Sequence, residues 1–317
     1  MITLEAVYWL MGLLAAGVAL VNARDAGNPK RWNNTIFWGI YAVTFLAGSR
    51  LPHIVSGALV IVMVLVASIG KLGRGAGESQ TPAQREASAA RWGNRLFIPA
   101  LTIPAVTLLG TFFLKGLSVN GVPLVDPKQI TLISLGIATL VALLVGMAML
   151  RPPLSAPLFE ARRLWDSVGW AAVLPQMLAA LGALFATAGV GKVVAGLAER
   201  WIPLGSPLVA VVTYTVGMAL FTMIMGNAFA AFPVMTAGIG LPLIVSRFGG
   251  DVVVMAAVGM LSGFCGTLMT PMAANYNIVP TALLDLDEYA VIRAQLPTAI
   301  LLLIANTVIM SLFVYRH

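Results

Sequence analysis

Long apolar runs separated by short polar stretches fill almost the whole chain. A transmembrane helix takes roughly 20 apolar residues, and most of these runs approach that length. The pattern therefore predicts an all-α polytopic membrane protein with nine or ten hydrophobic segments. They are Ile2–Val21, Thr35–Gly48, His53–Gly70, Leu96–Leu114, Ile130–Leu150, Val168–Val190, Leu208–Met225, Ala228–Ser246, Val252–Met269 and Leu296–Val314.

Composition excludes a soluble domain. Of the 317 residues, 59% are hydrophobic and 10% charged, and the mean hydropathy is +0.93. A soluble core of this size would need a polar shell that the chain cannot supply. The first run is not a convincing signal peptide, because its start carries Glu5 and no Lys or Arg.

The net charge of +7 is a topology signal. Basic residues concentrate in three loops, Asn22–Asn33, Lys71–Arg95 and Arg151–Arg163, and are sparse in the loops between them. Cytoplasmic loops carry an excess of Lys and Arg. We therefore expect these loops in the cytoplasm, the N-terminus outside, and no nucleic-acid partner.

Residues for catalysis or metal binding are missing from the sequence. Cys265 is the only cysteine, the chain has two histidines, and no carboxylate cluster accompanies them. The stretch Ala186–Val193 resembles a phosphate-binding loop but has Ala186 in place of the first glycine and Val193 in place of Ser or Thr. We expect neither an enzyme nor a metal site.

The most informative segment is Thr267–Thr281, which follows an apolar run. Pro271 and Pro280 bracket Asn275 and Asn277, and proline inside a helix removes a hydrogen bond and clashes with the preceding turn. Non-helical backbone at membrane depth survives only where it is buried or lines a cavity. The pattern favours a discontinuous helix at a transporter's binding site over a simple proline kink.

A second polar interruption lies at Met225–Pro233. Gly226-Asn227 is a turn dipeptide, and Pro233 disfavours helical geometry at Phe232. Two interpretations remain open, a re-entrant hairpin with its tip near 226–233 and two ordinary helices joined by a tight loop. Neither this tip nor the break near 267–281 contains a charged residue. The pairing of an uncharged polar tip with an uncharged polar break favours the hairpin.

The two parts of the chain differ in the residue types inside their apolar stretches. We interpret 1–163 as scaffold or oligomerisation helices, because its spans are mostly uniform and apolar. In 164–317, Pro, Gly and small residues recur inside apolar stretches, so we interpret it as the transport region. Gly259, Gly263 and Gly266 lie at spacings that let a neighbouring helix approach closely.

The uncharged polar residues of the tip and the break suit an anion together with a cation. Amide N–H groups and the N–H groups of a resuming helix suit a carboxylate, and hydroxyl and amide oxygens suit a cation. The predicted substrate-binding residues are Gly226, Asn227 and Asn275, the predicted ion-binding residues are Thr267, Thr270 and Asn277, and the predicted structural breaks are Pro233, Pro271 and Pro280.

The stretches Met225–Pro233 and Phe264–Pro280 resemble the signature stretches of a bacterial inner-membrane family, labelled domain of unknown function 979. That family is described as the larger subunit of a two-component 5-oxoproline transporter, near the ion-transporter superfamily. The resemblance implies a multi-pass protein of the bacterial inner membrane.

The same resemblance implies a smaller second membrane subunit, a higher oligomer and a small anionic substrate. It also implies ion-coupled symport with Na⁺ or H⁺, and no other cofactor is expected. The chain shows one clear hairpin-plus-break set, so either Val168–Ile202 is a degenerate first hairpin or a partner supplies the missing half. A non-transporting accessory subunit remains the alternative.

Overall fold

A computed structural model of the chain describes residues 1–73, 75, 81–119, 121–201, 205–287 and 289–316. The side chains of residues 82, 119, 175, 179, 198, 199, 201, 274 and 275 are outside this description. The chain divides into two compact units, Met1–Asp166 and Ser167–His317. Within the described residues, eight helices are long and apolar enough to cross a membrane, and one shorter apolar helix accompanies them. The all-α polytopic fold predicted from the pattern is confirmed.

The first unit is built from helical pairs. Its helices are α1 (Leu4–Arg24), α2 (Arg31–Ala47), α3 (His53–Leu65), α4 (Pro82–Trp92), α5 (Phe97–Phe113), α6 (Ile130–Leu150) and α7 (Ala156–Val168). The most extensive contacts are those of α1 with α2 and of α5 with α6. A two-stranded antiparallel hairpin, β1 (Ser118–Val119) with β2 (Val122–Pro123), lies between α5 and α6.

The second unit has a tightly packed centre. Its helices are α8 (Leu174–Thr187), α9 (Val190–Trp201), α10 (Pro207–Met225), α11 (Ala228–Met235), α12 (Val252–Leu268), α13 (Val279–Leu284) and α14 (Ala290–Phe313). The buried core joins α10, α11, α12 and α14 through Tyr214, Met218, Met235, Met255 and Met310. In the stretch Val168–Ile202, α8 packs against α11, and α9 packs against the helical turns that follow α11.

Side-chain capping residues determine where α10 and α12 begin. The Ser206 hydroxyl accepts a hydrogen bond from the Val209 N–H at 3.3 Å, and Pro207 occupies the first turn. One Asp251 carboxylate oxygen accepts from the N–H groups of Val253 and Val254. Capping side chains satisfy donors that a helix start leaves without partners. Both helices therefore begin at defined polar residues before their apolar runs.

The helical path from Ala228 to Arg247 is continuous, which corrects the break expected at Pro233. Pro233 lies inside α11, and wide π-helical turns from Thr236 to Arg247 follow α11 directly and contain Pro242. Pro233 is the sixth residue of α11, where proline removes one hydrogen bond, and wide turns re-register the bonds around Pro242. The burial of α11 residues on the core outweighs this local cost.

The discontinuous helix is present but shorter than the predicted 267–281. Helix α12 ends at Leu268, the interruption covers Met269–Ala273, and π-helical turns over Ala274–Ile278 lead into α13. Pro271 lies in the interruption. Pro280 does not break the helix, because it occupies the first turn of α13, where proline is tolerated.

Candidate functional site

The interrupted helix and the helix before the tip lie side by side. Three α12 glycines face α10 so closely that an added Cβ would collide with it, and the contacts advance in the same direction along both helices. The pairs are Gly259 with Tyr214, Gly263 with Met218 and Gly266 with the main chain of Ala219. The close approach predicted from the glycine spacing is confirmed, and α10 and α12 run parallel.

This packing brings the tip to the interruption. Gly226 ends α10 in the left-handed conformation, with φ of 73°, and is buried. A Cβ at Gly226 would lie 2.9 Å from the Met272 Cβ and 3.0 Å from the Met272 carbonyl oxygen. Glycine is required here by both conformation and space. The role of Gly226 in this contact is to let two main chains meet.

A side-chain hydrogen bond joins the same two segments. The Thr270 hydroxyl donates to the Met223 carbonyl oxygen at 2.9 Å and accepts from the Met272 N–H at 3.3 Å. This bond satisfies a carbonyl near the end of α10 and holds Thr270 against that helix. Thr270 is therefore a bridge between the last turn of α10 and the interruption.

Asn277 closes the interruption from the far side. Its side-chain nitrogen donates to the main-chain carbonyl oxygens of Thr267 at 3.0 Å and Thr270 at 2.7 Å. Its Oδ1 atom is buried and accepts no hydrogen bond from any described residue. The Thr267 hydroxyl donates to the Phe264 carbonyl at 2.6 Å. One amide thus satisfies two helix-end carbonyls and leaves one buried acceptor open.

A cavity of about 850 Å³ adjoins this open acceptor. The polar side chains Asn277 and Thr281 line it, one helical turn apart, and the Thr281 hydroxyl is also buried without a partner among the described residues. Asp285 contributes a carboxylate to the lining, and the rest is mainly apolar, including Trp170, Leu174, Leu178 and Pro271. Binding pockets of small molecules combine an apolar lining with a few placed polar groups.

Asn227 is placed at the tip rather than in the cavity. Its Oδ1 accepts from the Phe229 N–H at 2.7 Å and caps α11. The structure records no hydrogen bond from its half-buried Nδ2 to another described residue. Asn227 is absent from the described cavity lining, and its neighbour Gly226 contacts the interruption at Met272.

The structure brings some predicted site residues together and leaves others apart. Thr267, Thr270 and Asn277 form one hydrogen-bonded group, and Gly226 contacts it at Met272. Asn275 lies in the π-helical turns that follow the interruption, but its side chain is outside the described residues. The binding roles assigned to these residues stay predictions.

Some residues at the site were not predicted. Thr281 follows Asn277 by four residues, and helical periodicity in the sequence already places both on one face, but no binding role was predicted for Thr281. The aromatic rings of Phe229, Phe264 and Tyr276 form a chain beside the tip and the interruption, with centroid distances of 5.8 and 6.2 Å. Trp170 joins the cavity from a distant part of the sequence, and no local signal indicates it.

Among the described residues, no group of three or more His, Cys, Asp or Glu side chains could hold a metal ion. Comparison with curated proteins and with solved structures finds no match. The family model described as "Protein of unknown function (DUF979)" matches residues 5–315. That match covers nearly the whole chain, and the protein therefore belongs to the DUF979 family.

Proposed function

We propose that the chain is a subunit of a secondary transporter that moves a small carboxylate of the 5-oxoproline type across the bacterial inner membrane. The observation that carries the proposal is the meeting of the tip and the interruption beside a cavity that contains an open Asn277 oxygen. Interrupted helices at membrane depth are tolerated where they line a cavity and mark binding sites in secondary transporters.

The polar side chains of the lining define which chemical groups the cavity accepts. Asn277 Oδ1 is an acceptor only, Asp285 contributes a carboxylate, and the Thr281 hydroxyl can donate or accept. An acceptor buried without a partner costs free energy until a donor or a cation reaches it. A coupling cation, Na⁺ or H⁺, or the ring N–H of a lactam such as 5-oxoproline meets this requirement.

The substrate carboxylate needs donors instead. Asn227 Nδ2 is available at the tip, and the first turn of the helix that resumes at Ala274 carries main-chain N–H groups. The first N–H groups of a helix lack intrahelical partners and bear partial positive charge. We assign the carboxylate to these groups together with Asn275, and the cation to Asn277, Thr267 and Thr270.

Assembly is part of the proposal. The family resemblance implies a second, smaller membrane subunit, and the single pairing of tip and interruption in this chain supports a requirement for it. We expect the smaller subunit to complete the transport path, with the lipid bilayer as the surrounding solvent.

Uptake by proteoliposomes tests the function. The purified chain, with and without the second subunit, is reconstituted and supplied with labelled 5-oxoproline under an imposed Na⁺ or H⁺ gradient. We expect saturable uptake that requires both subunits, follows one of the gradients and is reduced by excess unlabelled small carboxylates. Uptake by the second subunit alone would overturn the proposal and make this chain an accessory subunit.

A further inference from the structure

A second buried polar cluster lies in the first unit. Four of its members, Asn22, Asn34, Arg162 and Asp166, are less than a tenth exposed. They come from α1, α2 and α7, and the indole of Trp38 joins them. Ionisable groups in membrane proteins are costly to bury and generally mark function. In the sequence, Arg162 belongs to the basic loop Arg151–Arg163.

Asp166 is the least compensated member of the cluster. Its Oδ1 accepts from Trp38 Nε1 at 2.8 Å and from Asn22 Nδ2 at 3.2 Å. Its Oδ2 is buried and accepts no hydrogen bond from a described residue. The nearest described positive charge is Arg162 Nε, 3.5 Å from Oδ2. Oδ2 therefore lies buried in the cluster with an ionic contact to Arg162 but without a hydrogen bond from a described residue.

The Arg162 guanidinium contacts two carboxylates and lies closer to Asp25 than to Asp166. Its Nη2 makes a close ion pair with Asp25, and its Nε also donates to Asn22 Oδ1 at 3.3 Å. One guanidinium thus faces two carboxylates, and Asp25 takes the direct contact. Among the described residues of the cluster, one negative charge remains in excess, and it falls on Asp166.

Main chain covers the cluster. Residues 70–73 are held by side chains of the stretch 28–34, with Asn33 Nδ2 donating to the Gly70 carbonyl at 2.7 Å and Asn34 Nδ2 donating to the Gly73 carbonyl at 2.7 Å. Gly75 lies against the Arg162 guanidinium so closely that no Cβ would fit. This cover limits the water that could stabilise a second carboxylate charge.

We propose that Asp166 is a proton-binding site. A hydronium ion transfers a proton to Oδ2: one of its O–H bonds breaks, an O–H bond forms on Asp166, water is released, and the carboxylate becomes a neutral acid. Arg162 and Asp25 then balance each other, and the new O–H can donate. The charged group on α7 that faces Asp166 is Arg162, and Asp25 follows α1. Lys30, before α2, binds the Gly70 carbonyl instead, and Arg74 is outside the described residues.

Infrared spectroscopy of the purified chain tests the site without any transport assay. Difference spectra between acidic and alkaline buffer report the carbonyl stretch of each carboxylic acid that gains a proton. We expect one such band to disappear in Asp166→Asn and to persist in Asp25→Asn. Asparagine keeps an oxygen that can accept from Trp38. A set of bands unchanged by Asp166→Asn would overturn the proposal.

Trp38 provides a second readout in the parent protein, should Asp166→Asn fail to fold. Its indole N–H bonds Asp166 directly, so protonation of Asp166 changes its fluorescence. We expect a pH-dependent component that is lost in Trp38→Phe and coincides with the infrared titration. A fluorescence that stays constant across the titration would contradict the proposal. Both measurements are independent of whether the chain transports a carboxylate.

Discussion

Asn277 Nδ2 lies 2.7 Å from the main-chain carbonyl oxygen of Thr270, across the interruption that follows α12. The end of a helix leaves carbonyls without partners, and lipid offers no donors to replace them. The Asn277 amide supplies those donors from the resuming helix and keeps its own oxygen open toward a cavity. One side chain therefore makes the interruption tolerable and is also placed to bind a ligand.

This dual role predicts a stability effect. Asn277→Ala leaves the Thr267 and Thr270 carbonyls unsatisfied, and we expect a loss of about 1–3 kcal/mol in the free energy of unfolding. The control is Asn306→Ala, since the described partner of Asn306 is the weaker acceptor Cys265 Sγ at 3.5 Å. Unfolding in detergent measures both. Equal losses in the two variants would contradict the closing role of Asn277.

The contact between the tip and the interruption predicts that Gly226 cannot carry a side chain. Gly226→Ala places alanine in a left-handed conformation and drives its Cβ into Met272. Gly249→Ala is the matched control, because Gly249 has φ of 69° but nothing within 4 Å of an added Cβ. We expect the control to lose about 1–2 kcal/mol of stability and Gly226→Ala to lose about 1–3 kcal/mol more.

Thermal unfolding of the two glycine variants separates conformation from contact. If Gly226→Ala and Gly249→Ala lose the same stability, the tip and the interruption do not press against each other, and the proposed site loses its geometric basis.

Asn227 is expected to bind substrate through Nδ2 while its Oδ1 caps α11. Asn227→Ser keeps a capping oxygen but removes the amide donors. A lost hydrogen bond to a charged group costs about 1.5–3 kcal/mol, so substrate affinity should fall about tenfold to a hundredfold. Equilibrium binding of labelled 5-oxoproline measures this, and thermal unfolding should show little change. Unchanged affinity would remove Asn227 from the site.

Much of the fold follows from the sequence because hydrophobic length dictates membrane-spanning helices. The segment Ile130–Leu150 matches α6 at both ends. The glycine spacing on α12 predicts the close approach of a neighbouring helix, which is α10. Wide helical turns are harder to predict, because the local cost of Pro233 and Pro242 is outweighed by burial that only the folded chain reveals.

The candidate site was predictable only in part. The proline and asparagine pattern located the interruption and the tip, but the direction of each hydrogen bond depends on neighbours. The prediction that Asn277 offers an oxygen to an ion is untested, and the sequence did not indicate that its nitrogen donates to two carbonyls. The cluster around Asp166 escaped prediction, since Asn22, Trp38 and Asp166 meet only through tertiary packing.

Pro271 should keep the interruption open. Pro271→Ala restores an N–H and removes a ring that opposes helix, so we expect α12 to extend and the turnover of transport to slow. Pro104, inside α5 of the first unit, provides the control, and Pro104→Ala should leave turnover unchanged. Initial uptake rates in proteoliposomes give the comparison. Slower turnover in both variants, or in neither, would argue against a specific role of Pro271.

Protection of the cavity by substrate tests whether the cavity beside the interruption binds the substrate. In a Cys265→Ser background, Leu178→Cys places a thiol in the cavity lining, and Leu181→Cys places one on an exposed part of the same helix. Alkylation rates are measured in proteoliposomes that contain both subunits, with and without saturating 5-oxoproline. We expect substrate to slow alkylation at position 178 severalfold and to leave the rate at position 181 unchanged. Transport-competent protein in which substrate protects neither thiol, or both equally, would contradict it.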